Sequence, residues 1–193
     1  MKKSVIIILV IAGALVLWGI SGYNGLVTSE EQVQTQWANV ETQYQRRADL
    51  IPNLVNTVKG YASHEKETLN EVVNARSKAT QITVNPNDLT PENIAEYQKA
   101  QGEVSAALGK LLAISESYPD LKANQNFLEL QAQLEGTENR ISVARRDFNE
   151  TAKTYNTLIR RFPKNILAGM FGFSKISYFE AEAGSEKAPT VEF

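Results

Sequence analysis

The sequence predicts an all-α protein, an antiparallel up-and-down bundle of three to four long helices with an N-terminal transmembrane helix. Two observations carry this prediction. Residues 5–20 form an apolar run without a charge, and large apolar residues recur every seven positions between 124 and 161 with no proline among them. A helix over that second stretch would be ~57 Å long at ~1.5 Å per residue, and only other long helices can cover it.

Size and composition are ordinary for one globular domain with an appendage. The chain has 193 residues, of which 22% are charged and 42% hydrophobic, and its formal net charge is -2. This charge provides no basic field for nucleic acid, so we expect no nucleic-acid partner. The chain has no cysteine and a single histidine, His64, which excludes disulfides, thiolate chemistry and histidine-based zinc clusters. We expect no metal and no cofactor.

The N-terminal segment is predicted to be a membrane anchor over residues 5–26. Its side chains are uncharged, and Trp18 and Tyr23 are suited to a membrane interface. The alternative is a cleaved signal peptide, but the apolar run is longer than a usual signal core and no A-x-A-like site follows it. We therefore expect the anchor to be retained.

The flanking charges predict the orientation of this anchor. Lys2 and Lys3 precede it, whereas the first basic residue after it is Arg46. By the positive-inside rule, residues 1–4 are expected to be cytoplasmic and the bundle extracytoplasmic, in a single-pass protein of the cell membrane.

The bundle is predicted to span residues 28–179, and its first helix to begin at Thr28. The Thr-Ser-Glu-Glu string there offers an N-cap with acidic residues in the first turn. Apolar residues then follow at helical spacing, namely Val33, Trp37, Val40 and Tyr44. Pro52 either kinks one continuous helix or opens a second one. Gly60 weakens the helix, and helical patterning continues to about Lys78.

A connection and a new helix are predicted next. Residues 82–91 contain two prolines, two asparagines and an aspartate, which are typical of turns. Thr90 then serves as an N-cap with Pro91 in the first helical position. This helix is expected to close at Tyr118, because the residue before a proline avoids helical dihedral angles.

The longest helix is predicted from Asn124 to Arg161. Its packing seam consists of apolar residues seven positions apart, namely Phe127, Leu134, Ile141, Phe148 and Tyr155, and Phe162 continues the count. Only a few residues separate this helix from the preceding one, so the two must run antiparallel.

The C-terminal part is predicted to contain a short amphipathic cap over residues 162–173. Met170, Phe171 and Phe173 lie outside the packing seams, so they are candidates for contact with the membrane or with a protein partner. Residues 180–193 contain few large apolar side chains and are predicted to be a flexible tail.

Several long strings in this sequence are shared with a known protein family. They are QYQRRADLIPNLVNTVKG from Gln43 to Gly60, YPDLKANQNFLELQAQLEGTENRI from Tyr118 to Ile141, and ARRDFN from Ala144 to Asn149. By these strings the chain resembles the LemA family over essentially its whole length. The resemblance implies a bacterial protein with an N-terminal membrane anchor and an antiparallel bundle of long helices. It implies no established activity.

One group of charged residues forms the candidate polar cluster. Its members are Arg46, Arg47, Asp49, Glu138, Arg145 and Asp147. Paired carboxylates can perform acid–base chemistry, but the arginines between them keep those carboxylates ionised. We therefore predict a structural or partner-binding role. If the set is partly buried, it is expected to fix the register between helices.

No other group of residues has the spacing of a reactive site. His64 stands with Glu65 and Glu67 but lacks metal-ligand spacing, so it is expected to be a surface or capping residue. Ser63 and Ser115 have no second histidine with which a catalytic triad could be built. No catalytic residue is predicted.

Three hypotheses for function follow. The leading one is a non-enzymatic, membrane-tethered helical module that contacts the lipid bilayer and assembles with itself, as a homo-oligomer, or with other envelope proteins. The alternative is an accessory or adaptor subunit of a membrane peptidase or a signalling receptor. A third, an envelope hydrolase, would require acid–base chemistry at Asp49 or Glu138.

Overall fold

The computed structural model describes residues 3–181. These residues form six helices and no strand: α1 (Lys3–Tyr61), α2 (Lys66–Gln81), α3 (Pro91–Ser115), α4 (Pro119–Lys122), α5 (Gln125–Arg160) and α6 (Lys164–Phe171). The long helices alternate in direction along a common axis, and α5 lies against α1 over much of its length. The predicted all-α helical bundle is confirmed.

Helix α1 is continuous from the apolar segment into the bundle. The predicted start at Thr28 is wrong, because the Thr28 hydroxyl donates to the carbonyl of Asn24, four residues earlier, as it does inside a helix. A capping sequence does not begin a new helix when the residues before it are already helical. The buried stripe of α1 already begins at Gly22 and Leu26, so the packed bundle starts within residues 5–26, the stretch predicted as the anchor.

Pro52 lies inside α1, and a side chain compensates for it. Proline has no N–H, so the carbonyl of Ala48, four residues earlier, loses its helical donor. Arg76 of α2 supplies the missing donor: its Nε lies 2.7 Å from the Ala48 oxygen. The helix therefore continues through the proline, and the same contact joins α2 to α1.

The chain reverses after Tyr61 at the turn of residues 62–65. Helical patterning does extend to about Lys78, but it is divided between α1 and α2. The reversal brings Leu69 and Val72 back against Leu54 and Val58, which a single straight helix could not bury. Gly60 thus lies in the last turn of α1.

The predicted starts of α3 and α5 agree with the observed ones. Thr90 accepts a hydrogen bond from the backbone N–H of Asn93, and Asn124 accepts one from the backbone N–H of Phe127 at 3.0 Å. These caps satisfy N–H groups that have no partner within the helix. Helix α3 ends at Ser115, and Pro119 opens the short α4.

The core consists of two apolar clusters stacked along the axis. The lower cluster, nearer the N-terminal segment, surrounds Trp37 and Phe148, and the upper cluster surrounds Leu54, Leu111 and Phe127. All five seam residues of α5 are buried. Phe162 does not continue the seam: it is 81% exposed, because α5 ends at Arg160 and the chain turns before it.

The flexible tail predicted for residues 180–193 lies outside the described part of the chain, except for Glu180 and Ala181.

We predict that the Arg76 contact and Pro52 are energetically coupled. Arg76→Met should lower the free energy of unfolding by about 1–2 kcal/mol, because the Ala48 carbonyl is left without a donor. In a Pro52→Ala background the new N–H can serve that carbonyl, so the same substitution should cost about 1 kcal/mol less. Urea denaturation of the four chains measures this difference.

Lys78→Met is the control, because Lys78 is an exposed residue of the same helix. Equal costs of Arg76→Met in both backgrounds would contradict the coupling.

Candidate functional site

A polar layer separates the two apolar clusters, and Arg47 of α1 is its centre. Its side chain is only 2% exposed. One guanidinium nitrogen donates to Ser105 Oγ at 2.7 Å and to Glu138 Oε2 at 3.0 Å. The other donates to the backbone oxygen of Gln101 at 2.9 Å and to its side-chain Oε1 at 2.8 Å. The layer therefore joins α1, α3 and α5 through one residue.

The hydrogen bonds that Arg47 donates explain how its charge is tolerated in the core. A buried guanidinium without partners would cost several kcal/mol, but here a carboxylate and three neutral oxygens accept from it. The ring of Tyr44 lies beneath the guanidinium, with 5.1 Å between its centroid and the guanidinium carbon. Because Glu138 is half exposed, part of the ion pair is hydrated. Such a layer positions three helices relative to one another along the axis.

Of the other members of the predicted polar cluster, only Arg145 approaches this layer, where its charge partly opposes the rise that burial causes in the pKa of Tyr44. Arg46 and Asp49 are exposed, and Asp49 accepts a hydrogen bond from Gln45, one turn earlier. Arg145 lies over the ring of Phe179 and donates to the backbone of Glu180. Asp147 pairs with its neighbour Arg146.

Helix geometry explains this dispersal. Successive residues in a helix point about 100° apart, so adjacency in sequence is not adjacency in space. Of the six predicted residues, only Arg47 and Glu138 are paired with each other.

The chemistry available around Arg47 is limited. Burial raises the pKa of both Tyr44 and Tyr97, so these phenols stay protonated at neutral pH. A cleft of about 140 Å³ opens beside them between α1, α2 and α3. It is smaller than the ~300–1,000 Å³ typical of small-molecule sites. Within residues 3–181 there is no group of three or more His, Cys, Asp or Glu side chains that could hold a metal ion.

A second polar arrangement was not predicted: residues 173–181, here called the C-terminal strap, are held by three side-chain amides. Asn156 donates to the backbone oxygen of Ile176 and accepts from its N–H. Asn149 bonds the backbone of Phe179 in the same two ways, and Gln98 does so with Glu180. Each amide thus replaces the partner that a neighbouring β-strand would provide.

Apolar contacts reinforce the strap. Phe179 stacks on Trp37 with ring centroids 5.7 Å apart and also meets the edge of Phe148. Ile176 and Phe179 are both buried in the lower cluster. The strap therefore forms part of the core although it has no regular secondary structure.

A sequence signal for these amides exists. Each directly follows a buried aromatic residue, in the pairs Tyr97-Gln98, Phe148-Asn149 and Tyr155-Asn156. An amide beside a core position is placed to meet a backbone that packs at the edge of that core.

The three residues proposed for membrane or partner contact lie at the end of the bundle next to the N-terminal segment. Phe171 and Phe173 pack edge-on against the ring of Tyr23, at centroid distances of 4.8 and 5.8 Å. Phe173 is half-buried there, whereas Phe171 and Met170 are exposed. Phe171 and Phe173 are thus positioned by Tyr23 of α1.

Gly22 permits this close approach of α6. A Cβ at position 22 would lie 2.5 Å from Leu167 Cδ1, closer than real carbon contacts.

We predict that Arg47 and Arg46 differ sharply in their contribution to stability, although they are neighbours. Arg47→Met should lower the free energy of unfolding by about 2–4 kcal/mol, because it leaves the buried oxygens of Gln101 without a donor. Arg46→Met should change it by less than about 0.5 kcal/mol. Denaturation of the purified proteins in detergent gives both values, and equal effects would refute a special role for the layer.

Comparison with known proteins gives relatives that match most of the chain. It is 28% identical to the magnetosome protein MamQ 1 of Paramagnetospirillum magneticum, over 85% of this chain and 66% of that protein. It is 29% identical to the magnetosome protein MamQ of Magnetospirillum gryphiswaldense, over 84% of this chain and 66% of the relative. The protein LemA of Metamycoplasma hominis is 25% identical over 82% of this chain. The chain thus spans just under two thirds of the length of the MamQ proteins.

The family comparison covers the bundle. The sequence profile of the LemA family matches residues 36–193, from the residue before Trp37 to the end of the chain. The match includes the Arg47 layer, Arg76 and all three amides that hold the strap. The chain belongs to the LemA family.

Proposed function

We propose that this protein is a non-enzymatic scaffold or interaction module of the bacterial cell envelope. Its bundle stands outside the cytoplasmic membrane on a single N-terminal span. The observation that carries this proposal is the continuity of α1, which is exposed and apolar along residues 5–20 and becomes the buried core of the bundle from Gly22 onward. A partner that binds the bundle is then held at a fixed place relative to the bilayer.

The exposed part of α1 supports the span. Its large apolar side chains are 41–70% exposed. Apolar surface in water costs about 25 cal/mol per Å², so this helix requires a cover, which a bilayer provides. Residues 5–23 would extend ~28 Å, close to the thickness of a hydrocarbon core.

The charge pattern supports the orientation. Lys2 and Lys3 lie before the span, and no basic residue follows it until Arg46. Positive residues are retained on the cytoplasmic side, which leaves the bundle on the opposite side.

The polar groups of the bundle support a role without catalysis. Four of the five N–H groups of Arg47 are used by structural hydrogen bonds. Burial raises the pKa of Tyr44 and Tyr97, which moves these phenols further from neutrality, and it also raises the pKa of Glu41 in the same cleft, beside which no second carboxylate or histidine lines the described cleft.

The accessory or adaptor hypothesis has one supporting observation. Arg46, Asp49 and Arg140 line an open, exposed groove between α1 and α5. Charges in this groove have few partners in the described chain, so they are available to a protein surface of complementary charge.

We predict that the bundle is reachable from outside the cytoplasmic membrane. The natural chain has no cysteine, so single cysteines can be placed freely. With Asn53→Cys, an exposed position on α1, a membrane-impermeant maleimide should label intact spheroplasts. Ser4→Cys, which keeps both lysines before the span, should react only after lysis. The reverse pattern would place the bundle in the cytoplasm.

We also predict discrete assemblies through the exposed groove. A photo-crosslinking residue at Arg46 or Arg140 should yield defined adducts in cells, and one at Lys78, exposed on α2, should not. An adduct with a second copy supports the scaffold. An adduct with one other protein, whose activity changes in Asp49→Ala, supports the adaptor. A chain that forms no adduct at any position would contradict both.

A further inference from the structure

The end of the bundle next to the apolar segment carries a second apolar surface. Helix α6 packs there through Leu167 against Gly22, two residues after the apolar run ends at Ile20. Two residues of helix correspond to ~3 Å along the axis of α1. If α1 spans a bilayer, α6 therefore lies at the boundary between the acyl chains and the lipid headgroups.

The outward side of this region is apolar. Phe162 is 81% exposed, Met170 is 72% exposed, and Ile166 and Phe171 are both more than half exposed. Ile166 and Met170 are four residues apart and so share one face of α6, opposite the buried Leu167 and Ala168. We call Phe162, Ile166 and Met170 the α6 outer face, whereas Phe171, four residues after Leu167, lies on the side of α6 that meets Tyr23. Nothing in the described part of the chain covers it.

The stretch of sequence that contains α6 is basic. Between Glu150 and Glu180 the sequence contains no acidic residue but five basic ones: Lys153, Arg160, Arg161, Lys164 and Lys175. The net charge of the whole chain is -2, so this stretch is strongly biased. Apolar side chains flanked by lysine and arginine are typical of helices that lie in the interface of an anionic membrane.

We propose that the α6 outer face inserts into the leaflet of the bilayer that is next to the bundle. The flanking basic residues contact anionic headgroups there. This deepens the proposed function and depends on α1 being a membrane span. The bundle then has two attachments to one leaflet, the span and α6. A single span permits rotation and tilt, whereas two attachments fix which side of the bundle faces the membrane.

The position of the α6 outer face favours lipid over a second copy of the chain. In the proposed arrangement the span holds this face at the membrane surface, so lipid is next to it at all times. Insertion then needs no additional partner and no minimum interface area.

The test uses the full chain with one cysteine, labelled with a bimane fluorophore, in vesicles of phosphatidylcholine and phosphatidylglycerol. The labelled variants are Met170→Cys, Leu9→Cys in the span, and Val73→Cys, an exposed valine on α2 beside the upper cluster. Part of the phosphatidylcholine carries a nitroxide near the headgroup end of its acyl chain, which quenches only fluorophores in the bilayer. Iodide reports exposure to water.

We expect the lipid nitroxide to quench the fluorophores at Leu9 and Met170 at least about twofold more than the one at Val73, with the opposite order for iodide. If Leu9 is quenched by lipid but Met170 behaves like Val73, the α6 proposal is wrong and the span stands. If Leu9 is not quenched by lipid, the span itself is wrong. A fluorophore at Met170 that neither quencher reaches is covered by protein, which also overturns the proposal.

Two further measurements test the details. Ile166→Glu should lower lipid quenching at Met170, because a carboxylate resists transfer into the interface, whereas Val143→Glu, at a similarly exposed position on α5, should not. Vesicles of phosphatidylcholine alone should also give weaker quenching at Met170. Equal quenching with and without the anionic lipid would overturn the contribution of the basic residues.

Discussion

The structure depends on α1, one continuous helix whose N-terminal part is the apolar segment and whose remaining part contributes to the core of the bundle. Residues 5–20 of α1 are exposed over their whole circumference, and from Gly22 onward one face of the same helix is buried. Helices α2, α4, α5 and α6 all pack on it. Because no flexible linker separates the two parts, their relative orientation is set by helix geometry alone. A movement of the bundle would therefore tilt the N-terminal segment as well.

The Arg47 layer resolves an ambiguity that apolar packing leaves. A seam with a seven-residue repeat can slide by one heptad and still bury apolar side chains. Arg47 accepts only one position, since its donors must meet Gln101, Ser105 and Glu138 together. A shift would place a guanidinium against an apolar cluster. We propose that the layer specifies the alignment of these three helices at some cost in stability.

Side chains also satisfy the backbone where regular structure does not. Arg76 replaces the hydrogen bond that Pro52 removes, and three amides replace the strand partners that the C-terminal strap lacks. A buried backbone group without a partner would cost about as much as a lost hydrogen bond. The strap can therefore complete the lower cluster without a sheet. Its position also holds Phe173 against Tyr23, and so connects the strap to the end of the bundle that carries α6.

The sequence by itself determined the helical class, the packing seam of α5, and the starts of α3 and α5. These features depend on local rules: periodicity selects a face, and Thr90 and Asn124 bond N–H groups three residues away. Only the tertiary structure decided that α1 runs through Thr28 and Pro52, that Arg47 and Glu138 are the two members of the polar cluster that pair with each other, and that amides hold the strap. Those outcomes join residues distant in sequence, such as Arg47 and Glu138. Periodicity predicts which face of its helix a residue occupies. The residue that it contacts on another helix is determined only when the helices pack.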